Sequence, residues 1–228
     1  MKISIVIPTY EMHGKGVEYL QRNLDSIFSQ THKDFEVIVS DHSITDDIMD
    51  LCLAYLPDDW RLSYIRNTNK RGNSSANLNY GISFTCGQII KPMFQDDYFF
   101  SNEALAVIEK RISDGEKWVV VGNNSFVDGK GYFNDFTPYW NDDMVFGVNT
   151  LSSPSCMAYT PCKEIWDERL IWLMDCEFYY RLFLKYGLPY LESRILVTNF
   201  GHDKQLTHLI PKERKQWEVD LIKKEYGR

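Results

Sequence analysis

The chain has 228 residues, of which 44% are apolar and 25% charged, a composition typical of a folded globular domain and unlike that of a disordered chain. The formal net charge is −7, from 25 Lys and Arg against 32 Asp and Glu, which argues against general nucleic-acid binding. Apolar runs fall short of the roughly 18 residues of a membrane helix, and the first one is too brief for a signal sequence. We therefore expect a cytoplasmic protein.

The first 122 residues alternate short apolar runs with helical periodicities. Strands are predicted at 3–7, 35–39, 62–65, 88–94 and 119–121. Helices are predicted between them at about 17–28, 48–55, 74–84 and 104–112, with Ser74 or Ser75 capping the third helix and Ser101 capping the fourth. This alternation indicates an α/β fold with a mostly parallel sheet flanked by helices.

The periodicity disappears from Gly122 to about Leu151, where Asn, Asp, Gly and aromatic residues dominate. Such a segment is either a binding loop or an irregular hairpin. Regular structure resumes with a strand near 155–159, a helix over about 175–186 that Gly187 ends, and a strand at 195–197. A polar helix is predicted after Pro211.

The cysteines are five in number and form no C-x-x-C pair, so the pattern fits neither a disulfide framework nor a structural zinc site. We expect reduced thiols that serve as small core residues. They are Cys52, Cys86, Cys156, Cys162 and Cys176.

Unusual polar and aromatic residues follow three of the predicted strands, and parallel strands place their carboxyl ends at one ligand-binding edge. They are Pro8, Thr9, Tyr10, Asp41, Asp96 and Asp97. Carboxylates gathered there repel one another unless a cation lies among them, and oxygen ligands suit Mg²⁺ or Mn²⁺. The pattern favours a metal-dependent phosphate site. Alternatively, Asp41 caps the next helix and the Asp96–Asp97 pair forms an ordinary turn.

Five segments, in this order, resemble glycosyltransferase family 2, the inverting nucleotide-sugar transferases with the GT-A fold. They are residues 3–10, 35–43, 69–79, 95–97 and 173–181, and the resemblance spans 1 to about 208. It implies a GT-A domain over 1–228, with a nucleotide-sugar-binding half at 1–122, an acceptor and catalytic half at 123–208 and a C-terminal polar helix at 209–228.

The resemblance also implies roles for residues of the donor side. Tyr10 would stack on the nucleotide base, Asp41 would accept a base N–H, and Arg71 would approach the base or the diphosphate. Pro8, Thr9 and Asn79 would belong to the same nucleotide-sugar site.

Other roles concern the metal and the chemistry. Asp96 and Asp97 stand where the family has its D-x-D metal motif, although the first position of that motif falls on Phe94 or Gln95. His202 is a further metal candidate, and Asp96 would also contact the nucleotide sugar. Asp175 would be the catalytic base, with Glu177 as the fallback.

We therefore predict a glycosyltransferase that uses Mn²⁺ or Mg²⁺ to transfer a sugar with inversion, from a nucleotide-diphosphate sugar such as a UDP-sugar. The acceptor would be a saccharide or a lipid-linked saccharide in surface polysaccharide synthesis, packed against aromatic residues between 123 and 140. The basic helix after Pro211 either is solvated or contacts the inner face of a membrane. Alternatives are a sugar-nucleotide nucleotidyltransferase and a catalytically silent carbohydrate-binding relative.

Overall fold

The computed structural model describes residues 1–56, 59–203 and 205–227. Its first part consists of strands and helices in alternation. These elements are β1 (Ile3–Thr9), α1 (Gly16–Phe28), β2 (Phe35–Asp41), α2 (Asp47–Tyr55), β3 (Leu62–Arg66), α3 (Ser74–Ile82), β4 (Ile89–Pro92), β5 (Tyr98–Phe99) and α4 (Ala104–Ser113).

The second part adds strands and two longer helices. The elements are β6 (Trp118–Val127), β7 (Gly131–Phe136), β8 (Met157–Tyr159), α5 (Met174–Tyr186), β9 (Tyr190–Phe200), α6 (Leu206–Leu209) and α7 (Lys212–Tyr226). The predicted helix after Pro211 is present, and Pro211 itself is its N-cap.

One sheet joins strands from both parts of the chain in the order β3-β2-β1-β4-β8-β6-β9-β5, with β7 paired to β6 outside this path. The pairs β3–β2, β2–β1, β1–β4 and β6–β9 are parallel, whereas β8 and β5 pair antiparallel to their neighbours. The predicted α/β fold is confirmed, and the sheet is mixed at its centre. The functional division of the chain at 122 and 208 stays a prediction.

Apolar faces of the helices close the core against this sheet. Leu20, Leu24 and Ile27 recur at helical spacing on α1 and are completely buried, and each contributes roughly 1.5–3 kcal/mol relative to exposure. In the second part of the chain, the ring of Phe178 on α5 stacks on the ring of Trp166 with centroids 4.1 Å apart, and this contact anchors α5.

The first half of the region without periodicity forms a hairpin, as one of the two alternatives predicted, and a binding role for the region stays a prediction. β6 continues to Val127 and pairs with β7. Its alternation was hidden because Asn123 and Asn124 are buried polar residues whose side chains bond to Asn199 and Thr198 of β9. The same partners explain why β9 extends well beyond the predicted 195–197.

Three smaller expectations were wrong. Glu103, and not Ser101, is the N-cap of α4, and the Ser101 hydroxyl instead accepts the Glu103 N–H at 3.2 Å. Asn73, and neither Ser74 nor Ser75, caps α3, since its side chain accepts the Ala76 N–H at 2.8 Å. Cys86 is exposed, although three of the other cysteines are buried and all five are free thiols. Within the described ranges, no helix is both long enough and apolar enough to cross a membrane. Cytoplasmic localisation stays a prediction.

Candidate active site

A cavity of about 580 Å³ opens at the carboxyl ends of β1 and β4, within the size range of small-ligand sites. Most site residues predicted from the sequence line it, namely Pro8, Thr9, Tyr10, Arg71, Asp96, Asp97, Asp175 and His202. Asp41 and Asn79 are not among the described residues that line this cavity. The fold therefore gathers residues from both ends of the chain around one space.

The wall after β1 is built around Tyr10, whose side chain is 40% exposed. Its backbone N–H donates to Gln95 Oε1 at 3.0 Å, and Gln95 Nε2 donates to the Gly16 carbonyl at 2.8 Å. A Cβ on Gly16 would lie 2.5 Å from the Tyr10 carbonyl oxygen, so only glycine fits at this start of α1. Gln95 thus fixes the turn that carries Tyr10, a role that sequence reasoning missed.

Asp41 lies directly beneath this wall and is completely buried. Its Oδ1 accepts the Ser43 N–H at 2.9 Å and the Thr9 hydroxyl at 3.2 Å, and its Oδ2 accepts the Tyr64 hydroxyl at 2.8 Å. Arg66 approaches the same Oδ2 at 3.3 Å. In this structure the carboxylate holds the strand ends together, and a contact with a nucleotide base stays a prediction.

Two asparagines of α3 have different positions. Asn77 lines the cavity, accepts the Ser40 hydroxyl at 2.7 Å and donates to the Ser40 carbonyl at 2.8 Å, which ties α3 to the end of β2. Asn79 instead donates to the Trp166 carbonyl at 2.8 Å and accepts the Trp166 N–H. Asn79 therefore links α3 to the chain before α5, and Asn77 is the asparagine of α3 that lies at the cavity.

Asp96 and His202 form a pair at the cavity, with Asp96 Oδ2 3.0 Å from His202 Nε2. The imidazole is held by the aromatic rings of Tyr19 and Phe200, at centroid distances of 5.5 and 6.0 Å. Arg22 fixes the Asp96 backbone by donating to its carbonyl at 3.1 Å. The polar turn at 201–207 thus meets the acidic turn after β4; Lys204 of that turn lies outside the described residues.

Asp97 is almost fully buried at 5% exposure and bonds mainly to the protein. Its Oδ2 accepts the Ser153 hydroxyl at 3.1 Å, and its Oδ1 accepts the Phe200 N–H at 3.3 Å. Burial, and then the neighbouring Asp96 carboxylate, raise the pKa of Asp97. Asp97 is therefore less free than Asp96 to bind an ion.

The described residues contain no cluster of three or more His, Cys, Asp or Glu that could enclose a metal ion by themselves. Mg²⁺ and similar ions are commonly held by one or two carboxylates together with substrate phosphates, so a complete protein cage is not required. The 3.0 Å separation of Asp96 Oδ2 and His202 Nε2 is that of a hydrogen bond, so an ion held by both side chains would have to replace this contact.

Asp175 lines the same cavity from the first turn of α5. Burial raises the pKa of its carboxyl to about 6, although the Cys176 N–H and the Asn149 amide oppose the shift. Asn149 Nδ2 donates to Asp175 Oδ2 at 2.7 Å. A carboxylate with a raised pKa is suited to accept a proton near neutral pH.

Glu177 is placed differently from Asp175. It is 2% exposed and is held by Arg181 at 2.6 and 2.8 Å and by the Tyr226 hydroxyl at 2.7 Å. It is not among the described cavity-lining residues, so the fallback assignment of the base to Glu177 is disfavoured. Its contacts link α5 to α7.

The sheet order and the acid-lined cavity define the class: this is a GT-A type α/β domain. The glycosyl transferase family 2 model matches residues 4–188, so the chain belongs to glycosyl transferase family 2. The family predicted from the sequence is confirmed.

Three curated relatives are similar to the chain. It is 29% identical to glycosyltransferase GlyA of Streptococcus pneumoniae over 58% of this chain and 18% of that protein. It is 25% identical to an uncharacterized glycosyltransferase of Rickettsia typhi over 95% of this chain and 69% of the relative. It is 28% identical to the GalNAc(5)-diNAcBac-PP-undecaprenol beta-1,3-glucosyltransferase of Campylobacter jejuni over 57% of this chain and 40% of that protein. The chain thus spans less than half of two of these relatives.

Solved structures share the fold. Residues 1–349 of Staphylococcus aureus TarS in complex with UDP-GlcNAc align over 99% of this chain and 66% of that TarS fragment, with a TM-score of 0.73 and 15% identity. The mannosyltransferase PcManGT of Pyrobaculum calidifontis, in complex with GDP-Man and Mn²⁺, aligns over 98% of this chain and 63% of the PcManGT chain. The TM-score is 0.69 and the identity 13%. At these identities the likeness concerns the fold alone.

Proposed function

We propose that the chain is a metal-dependent, inverting glycosyltransferase that transfers a sugar from a nucleotide-diphosphate sugar to a saccharide or lipid-linked saccharide. The observation that carries the proposal is one cavity with the Asp96–His202 pair and the Asp175 carboxylate on its walls. The leaving diphosphate needs a metal-binding pair on one side of the transferred sugar, and the attacking hydroxyl needs a base on the other side.

The donor binds on the side of the parallel strands. Tyr10 presents an exposed ring at the cavity for stacking on a base, and Arg71 is an exposed cation on the same cavity for the base or the diphosphate. A UDP-sugar is the first donor to test, because TarS, which has the same fold, has been solved in complex with UDP-GlcNAc. PcManGT shares the fold and has been solved with GDP-Man, so the fold alone does not select the base.

Asp96 and His202 would hold Mn²⁺ or Mg²⁺ together with the donor diphosphate. The mixed carboxylate and imidazole pair favours Mn²⁺ over Mg²⁺, because imidazole is a softer ligand than oxygen. When bound, the ion supplies positive charge to the diphosphate as a leaving group. Asp97 keeps the Asp96 turn in place through Ser153 and the Phe200 backbone, and it is an additional ligand if those bonds open.

Asp175 takes the proton from the acceptor hydroxyl as that oxygen attacks the anomeric carbon. General-base catalysis of this kind contributes about 10² to 10⁴ in rate, which corresponds to roughly 3 to 5.5 kcal/mol. Asn149 orients the carboxylate and favours its ionised form. One displacement with this base inverts the anomeric centre.

The acceptor approaches from the side of Trp172, which lines the cavity. Tyr132, Phe133 and Tyr139 are 54%, 41% and 55% exposed but are not among the described residues that line the cavity, so they would contact only an acceptor that extends beyond it. The Campylobacter jejuni relative is named for a polyprenyl-linked substrate, which supports a lipid-linked acceptor and peripheral membrane contact through the basic residues of α7.

Product stereochemistry tests the mechanism directly. With an α-linked UDP-sugar and Mn²⁺, proton NMR of the product should show a β-linkage at the first observable turnover. An α-linked product would overturn the single displacement and the assignment of Asp175 together, because retention requires a second displacement.

A thermal-shift panel of UDP, GDP, CDP and dTDP, each with and without Mn²⁺, tests the donor class. The preferred nucleotide should raise the unfolding temperature more with Mn²⁺ than without it. Sugar binding with no response to nucleotide and metal would favour the silent carbohydrate-binding alternative. Formation of a nucleotide sugar from a sugar phosphate and a nucleoside triphosphate would favour the nucleotidyltransferase alternative, which the family match does not support.

A further inference from the structure

A buried carboxylate on the last helix binds the wall that carries Asp175. Glu218 of α7 is a charged residue, yet it is 0% exposed, whereas most residues of this helix are not buried. Its Oε1 accepts the Ile171 N–H at 3.0 Å, and its Oε2 accepts the Trp172 and Leu173 N–H groups, both at 2.9 Å. One side chain thus satisfies three consecutive backbone donors.

These three donors lie in the cavity wall or next to it. Ile171 and Trp172 line the cavity, Leu173 is not among the described lining residues, and Met174 and Asp175, which come next in the chain, line it again. The segment enters α5 at Met174, where free N–H groups and the helix dipole both favour a nearby anion. Glu218 therefore acts on the backbone immediately before Asp175, two to four residues away in sequence.

Other contacts make the connection between α7 and this wall specific. Arg214, one turn before Glu218, donates to Glu218 Oε1 at 2.8 Å and also bonds to the Arg169 carbonyl. A second contact joins the same two regions, because the Tyr226 hydroxyl of α7 donates to the Glu177 carboxylate of α5. The family model matches residues 4–188, so α7 lies outside the segment that this model covers.

We propose that Glu218 is a positioning residue for the transfer reaction, which sets the Asp175 carboxylate by fixing the backbone at 171–173. This inference rests on the proposed function, in which Asp175 is the base. Glu218 does not line the cavity among the described residues, so it acts through the wall and leaves the donor site unchanged. Through this contact α7 would help to position the catalytic carboxylate.

The test compares Glu218→Gln with Glu218→Asp and with Glu213→Gln, an exposed glutamate on the same helix. The glutamine keeps the size of the side chain but turns an NH₂ group toward backbone N–H donors. The aspartate keeps the charge at a shorter reach. Each variant is assayed by UDP release from UDP-GlcNAc with Mn²⁺, by UDP affinity, and by amide exchange at 171–173.

For Glu218→Gln we expect kcat to fall ten- to a hundredfold, because small displacements of a reacting group cost rates of this order. UDP affinity and the donor KM should stay within twofold of the wild type, and exchange at 171–173 should accelerate at least tenfold. Glu218→Asp should recover part of kcat, and Glu213→Gln should match the wild type in all three measurements.

Two results would overturn the inference: unchanged exchange at 171–173, or accelerated exchange with unchanged kcat. Equal losses of kcat and UDP affinity would indicate general damage to the fold and also reject a positioning role. If the wild-type protein releases no UDP from UDP-GlcNAc, that donor is rejected and the inference is tested without turnover. Unchanged exchange at 171–173 then still rejects the contact, and accelerated exchange with an unaltered NMR titration of Asp175 rejects its effect on the carboxylate.

Discussion

The two sides of the cavity are constructed in different ways. On the donor side, neighbouring parallel strands place Thr9 opposite Asp41 in register, and the Asp41 carboxylate bonds to the Thr9 hydroxyl. On the opposite side, Asp175 stands at the start of a helix and is oriented by Asn149, while Glu218 holds the backbone before it. The donor side is positioned by the sheet, and the Asp175 side by polar contacts between distant segments.

Because of this difference, substitutions on the donor side should change mainly the stability of the fold, and substitutions beside Asp175 should change mainly the rate of transfer. A polar residue between paired strands contributes mostly to the stability of the fold, because its loss leaves buried donors without partners. A residue that orients Asp175 affects the chemistry, because the strands that form the donor site do not depend on it. Each prediction below tests one side of this contrast.

Removal of the metal should have the largest effect. EDTA should reduce transfer to background and Mn²⁺ should restore it, because the diphosphate loses its charge partner. Asp96→Ala and His202→Ala should each reduce UDP affinity in Mn²⁺ to the value measured without metal, by isothermal calorimetry. Asp114→Ala, an exposed carboxylate on α4, is the control. Full activity in EDTA would reject the metal site.

Asp175→Asn should reduce kcat by about 10² or more, since the amide keeps the shape of the side chain but cannot accept a proton at neutral pH. UDP and Mn²⁺ binding should persist, because they belong to the other side of the cavity. Asp220→Asn on the exposed face of α7 serves as the matched control. If binding and turnover fell together, Asp175 would be a structural or metal residue.

Asp41→Ala should lower the free energy of unfolding by about 3 kcal/mol, because the Ser43 N–H and the Thr9 and Tyr64 hydroxyls lose a buried acceptor. Asp46→Ala removes a 68% exposed carboxylate that also pairs with Arg66, and should cost at most about 1 kcal/mol. Urea unfolding measures both. A loss of UDP affinity in Asp41→Asn at unchanged stability would instead favour the base contact.

The smallest effect concerns pH. With the pKa of Asp175 raised to about 6, kcat should fall about tenfold per pH unit below that value, since only the ionised carboxylate accepts a proton. Asn149→Ala removes a hydrogen bond that favours the ionised form, so the midpoint should rise and the rate at pH 6 should fall about threefold. At pH 8 the carboxylate is ionised in both proteins, so any remaining loss of rate reports only the orientation that Asn149 provides. Asn102→Ala is the control, and an unshifted midpoint would show that Asn149 does not tune Asp175.

Much of the fold was predictable because its signals are local. The apolar run at 3–7 and the stripe with Leu20, Leu24 and Ile27 identify a buried strand and a helix face without reference to the rest of the chain. The strand at 118–127 was predicted only to 121, because buried asparagines replace its apolar residues. Their hydrogen bonds to β9 are long-range, and no local pattern encodes them.

The candidate site divides in the same way. By itself, the sequence determined the strand ends, the acidic turn after β4, and the resemblance that assigns Asp175, since these depend on short segments in a fixed order. Only the tertiary structure placed Asp96 against His202, 106 residues away, and the Glu218 carboxylate against the backbone at 171–173. Such contacts depend on how helices and turns pack on the sheet, and hydrogen bonds between distant polar groups leave no periodic trace in the amino-acid sequence.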